Sequence, residues 1–168
     1  MKVEAKSELK KIIGDYDDKL AEAERVGAAR RAAHAAFPER FVTLRREVIK
    51  TTAQEIADML NERGHSASVR EQDESPTVEG MVKYASATLR IVPKPFAQKA
   101  AEASAISIEI TFSANRSERK VTVSSTNTML NHGGTVGKLG EYEINAVTAD
   151  IVAQHVIQTL NDAFRVAR

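Results

Sequence analysis

The sequence predicts an α+β fold: a two-layer antiparallel sheet of four to five strands with helices packed on one face, preceded by a long N-terminal helix. Three observations carry that reading. The first 36 residues space their apolar side chains at helical intervals and contain no proline. The middle of the chain switches to two-residue alternation, and the stretch from Thr148 onward returns to a helical stripe. Clean polar/apolar alternation belongs to an antiparallel sheet with one wet face, which leaves the other face for helices.

Residues 4 to about 36 read as one helix rich in Ala, Glu, Lys and Arg. Leu9, Ile13, Tyr16, Leu20, Ala23 and Gly27 recur at intervals of four and three, a seam of coiled-coil type. The same register then reaches Arg30 and His34, so the seam fades after about three heptads. Isolated helices are marginal in water, so this one must pack on the second helix, on the domain body or on a second copy of itself. Pro38 marks a boundary, because its ring disfavours helical angles at Phe37. A second helix then runs from Pro38 to Arg63, with Phe41, Leu44, Val48, Ile56, Met59 and Leu60 as its stripe and Gly64 as its terminator.

From His65 the period becomes two. Ala67 and Val69 begin a short strand, residues 73–80 form a polar loop, and Ala85, Ala87, Leu89 and Ile91 alternate along a second strand. Residues 96–103 read as a short helix or crossover. The clearest strand runs from Ile106 to Ser113, with Ile106, Ile108, Ile110 and Phe112 on one face. Asn115 to Glu118 make a hairpin turn, Val121 and Val123 point inward on the return strand, and 140–144 form a last edge strand. Thr148 caps a final helix whose stripe includes Ile151, Val152, His155, Val156, Leu160 and Phe164. Residues 1–37 are thus expected as a helical arm or extension, and 38–168 as a single α+β domain. This order of elements resembles that of small α+β chaperone-like domains that dimerise and hold a partner segment. The likeness is one of fold and assigns no residues.

Composition narrows the chemistry. There are 168 residues, no Cys and no Trp. That excludes a disulfide scaffold, thiolate metal sites and a thiol nucleophile. No apolar run suits a signal peptide or approaches the ~20 residues of a membrane span. A cytoplasmic, bacterium-like setting is the simplest expectation.

The net charge of +1 conceals blocks. Residues 25–50 hold seven basic and two acidic side chains, and residues 51–79 hold two and seven. Arg25, Arg30, Arg31, Arg45 and Arg46 belong to the basic block. Their planar forks suit carboxylate or phosphate, so this corner is a candidate anion surface, or else it pairs with the acidic block. The Gly-rich loop 131–140, with His132, Gly133, Gly134 and Lys138, is the second candidate, as a backbone nest for an anion. It lacks the phosphate-loop spacing, since Leu139 follows Lys138 where a hydroxyl residue is needed.

His34, His65, His132 and His155 include no pair at helical ligand spacing, so no metal site is assigned, and no catalytic residue or cofactor either. The outward sheet face (Arg90, Ser107, Glu109, Thr111, Ser113, Lys120, Thr122 and Ser124) has no aromatic for stacking bases, which disfavours nucleic acid. The expectation is a non-catalytic interaction or adaptor domain that binds itself, as a homodimer, or another protein. The alternatives are an anion- or nucleotide-binding module using the Gly-rich loop and the Arg corner and, more weakly, nucleic-acid contact through that corner.

Overall fold

A computed structural model describes residues 3–77, 80–94, 96–98, 106–128 and 135–165. The chain divides into two compact units, Met1–Phe37 and Pro38–Arg168. Helix α1 spans Val3–Leu44 and supplies all the described residues of the first unit. In that unit Leu9, Ile12, Ile13, Tyr16, Leu20 and Val26 are 48–64% exposed.

Pro38 does not end the helix, contrary to the boundary expected there. It lies inside α1. A proline within a helix loses one hydrogen bond and crowds a carbonyl, at about 3 kcal/mol. Ala32, Ala33, Ala35 and Ala36 before it are the strongest helix formers. Phe41 just beyond it is fully buried, so packing of the next turn helps offset that cost. The helical run continues as a π turn at Arg45–Lys50 and then as α2 (Thr51–Glu62). The helix expected over 38–63 is therefore helical but divided. Gly64 ends it at φ +88°, with the His65 N–H donating to the Leu60 carbonyl at 3.1 Å.

The second unit is built on five antiparallel strands in the order β1 (Ser66–Gln72), β4 (Ser86–Val92), β5 (Ile108–Asn115), β6 (Lys120–Asn127) and β7 (Thr135–Glu143). A two-stranded ribbon of β2 (Ser75–Pro76) and β3 (Val82–Lys83) branches from the expected 73–80 loop. Thr77 closes that ribbon: its N–H donates to the Met81 carbonyl at 2.7 Å and its hydroxyl accepts from the Met81 N–H. The β5–β6 hairpin turns on Asn115, whose Oδ1 accepts from the Glu118 N–H and the Ser117 hydroxyl.

The alternation read from the sequence holds. Ala87, Leu89, Ile91, Ile108, Ile110, Phe112, Val121 and Val123 are at most 2% exposed and face the helices. On the opposite face Thr88 and Thr111 share a 2.9 Å hydrogen bond, and Arg90 pairs with Glu109 across the same two strands. Helix α3 (Ala149–Arg165) begins at Thr148, whose hydroxyl accepts from the Ile151 N–H. Helix α2 packs chiefly on β1 and β4, while α3 packs beside α2 and over β5.

One loop shrinks. Of the 131–140 stretch, residues 135–140 are part of β7 and pair with β6. Thr135 and Val136 are strand formers, and Gly140 flanks the register shift opposite Val123 and Ser124, where a strand glycine is common. The 96–103 helix is a single turn at Phe96–Gln98; residues 99–103 lie outside those described.

Candidate functional site

At the β7 edge the two helices run out before the strands do. A helix is about 10 Å across and strands are ~4.8 Å apart, so two helices cover about four strands. Among the described residues, the fifth strand is left beside an open groove of about 600 Å³ between β7 and α3. Leu139 and Tyr142 form one wall. A stripe at helical spacing on α3 (Gln154, Gln158, Asn161 and Arg165) forms the other.

Two local devices shape the β7 wall. Val123 pairs with Gly140 and Ser124 with Lys138, so Leu139 is the extra residue of a bulge. A bulge re-aims a side chain, and Leu139 lines the groove. The second device is Gly140. A Cβ there would lie 2.9 Å from Cε2 and 3.0 Å from Oη of Tyr142, so only glycine lets that ring fold back along its own strand.

Tyr142 reaches His155 in the groove floor, with Oη 2.7 Å from Nε2 and the rings edge-on at 69°. His155 is 7% exposed, and Phe112 meets its ring from the core side. Burial pushes its pKa below the ordinary histidine value, so the ring is neutral at pH 7. Its Nδ1 is buried without a hydrogen-bond partner. A bare lone pair costs less than an orphaned N–H, which selects the tautomer protonated on Nε2. That N–H donates to Tyr142 Oη and leaves the Tyr142 hydroxyl proton free to donate into the groove.

Near this wall Lys138 reaches Glu141 at 3.3 Å, and Lys120 approaches the same carboxylate at 3.9 Å. Burial raises the Glu141 pKa, but the hydrogen bond from Lys138, a carboxyl hydrogen bond shared with Glu118 and the two lysine charges bring it below the ordinary value.

The described residues anticipated as an anion site belong to several elements. Arg25, Arg30 and Arg31 lie on α1 in the first unit, where Arg25 pairs with Glu22. Arg45 is buried in the π turn. It donates to the Gln72 carbonyl at 2.6 Å and to Asp73 at 2.7 Å, and its Nε lies 3.4 Å from Glu71, too poorly aligned for a hydrogen bond. Arg46 is exposed beside Glu47. Lys138 is on β7, four strands from the β1 end that Arg45 clamps, on the order of 19 Å away. His132, Gly133 and Gly134 lie outside the described residues. Among the described residues no group of three His, Asp or Glu side chains could hold a metal ion.

The groove itself escaped the sequence reading, which placed His155 in the apolar stripe of the last helix. The signal available was the amide-rich spacing Gln154, Gln158, Asn161 beside it. The chain matches no family model, no curated protein and no solved structure.

Proposed function

We propose that the chain is a non-catalytic, cytoplasmic interaction domain that holds an extended segment of another protein along β7. One observation carries this reading: an edge strand whose outer backbone has no strand partner among the described residues borders a groove rimmed by carboxamides. An added strand satisfies the edge N–H and C=O groups, and alternate side chains enter the adjoining groove. Gln154, Gln158 and Asn161 both donate and accept, as a peptide backbone requires, and the Tyr142 hydroxyl adds a donor at the floor. Lys138 and the bulge at Leu139 restrain indiscriminate edge pairing, so the surface favours a segment whose side chains fit. The absence of cysteine fits a reducing compartment.

Selection from a random peptide display library tests the proposal. The expected result is a set of peptides whose binding is lost in the Gln158→Ala, Asn161→Ala double variant and on N-methylation of alternate peptide residues. Peptides that bind both variants and N-methylated forms equally, or a selection that enriches nothing, would contradict it.

A further inference from the structure

We infer that residues 9–27 of α1 form a parallel, in-register two-stranded coiled coil with the same residues of a second copy of this chain. This inference stands on the first unit alone and does not depend on the groove. Leu9, Tyr16 and Ala23 take the d positions of a heptad, and Ile13, Leu20 and Gly27 take the a positions. The exposed large apolar side chains of this stretch are Leu9, Ile12, Ile13, Tyr16, Leu20 and Val26. Four of them occupy a or d, and the other two, Ile12 and Val26, occupy the flanking g positions. The b, c, e and f positions carry only charged residues, Ala and Gly. A lone helix with this distribution leaves a continuous apolar stripe in water, about 28 Å long at 1.5 Å per residue.

Charge selects both the partner and its direction. In a parallel pair each g residue faces the e residue five positions on in the other helix. Lys19 then meets Glu24 of the second copy, twice by symmetry, and no like charges meet over these heptads. An antiparallel pair aligning the same seam sets Lys19 against Lys19 and Asp17 against Asp17, which cancels its two Lys10–Glu24 pairs. The seam narrows at Ala23 and Gly27, where small residues let the helices approach, and it ends where the register reaches Arg30 and His34.

The test uses the full chain. Light scattering across a concentration series is expected to give a dimer. Tyr16→Lys with Leu20→Lys should convert it to a monomer that loses helical circular dichroism only from the unpaired arm and keeps the second unit folded, because both side chains are solvent-exposed in the single chain. Glu24→Lys should weaken dimerisation about tenfold, and adding Lys19→Glu should restore it. The chain has no cysteine, so Ala23→Cys introduces a single thiol; on mild oxidation it should cross-link to itself. A monomer at every concentration, or a dimer indifferent to the seam substitutions, would overturn the inference. Cross-linking of Ile13→Cys to Ala23→Cys in a mixture, without Ala23→Cys self-linking, would overturn the parallel orientation.

Discussion

His155 concentrates the energetic tension of the second unit in one side chain. Its pKa is lowered by burial, so the folded state holds the neutral form while the unfolded chain takes up a proton near pH 6.5. Where the unfolded state binds more protons, stability rises with pH. Lowering the pH from 7 through about 6.5 should therefore cost stability, by at most ~1.4 kcal/mol per pH unit. Denaturant titrations should show this slope reduced in His155→Phe; identical slopes in both proteins would contradict it. Tyr142→Phe removes the partner of Nε2 and should cost about 1–2 kcal/mol. Gly140→Ala should displace the Tyr142 ring and alter the His155 titration seen by NMR, whereas an unchanged titration would mean that the strand absorbs the methyl group.

At the scale of elements, the π turn is held by its own buried cation. Arg45 fastens Arg45–Lys50 to the end of β1 through the Gln72 carbonyl and Asp73, while Lys50 reaches Glu71 at 2.5 Å. Arg45→Ala should destabilise the fold by about 2–4 kcal/mol, because it removes a buried side chain, leaves a cavity and strips the Gln72 carbonyl and Asp73 of their shared cation. A loss under about 0.5 kcal/mol in urea unfolding would remove Arg45 from that role. The strands were legible because period-two alternation is a direct consequence of pleating: Ile108, Ile110 and Phe112 share the inner face of β5, although the strand begins at Ile108 rather than at the expected Ile106. The break expected at Pro38 was a local rule overridden by packing around Phe41. The ribbon at Ser75–Pro76 depends on two-residue pairings too short to leave a pattern. The β7 groove was illegible for a different reason. It is a mismatch between five strands and the width of two helices, and the amide spacing of Gln154, Gln158 and Asn161 is its one trace in the sequence.

Over the whole molecule, the near-zero net charge is a cancellation of opposed blocks, and part of it is spent internally. Arg45 and Lys50 from the basic block meet Glu71 and Asp73 from the acidic one, so those cations hold the fold together. What remains open is apolar on the first unit and amide-rich on the second, two surfaces suited to different partners. Amide hydrogen exchange with a selected peptide bound tests strand addition at β7 most directly. Slowed exchange is expected at β7 residues 135–143, with β1, at the other edge of the same sheet, unchanged. Protection confined to β1, or absent from β7 at saturating peptide, would contradict strand addition at this edge.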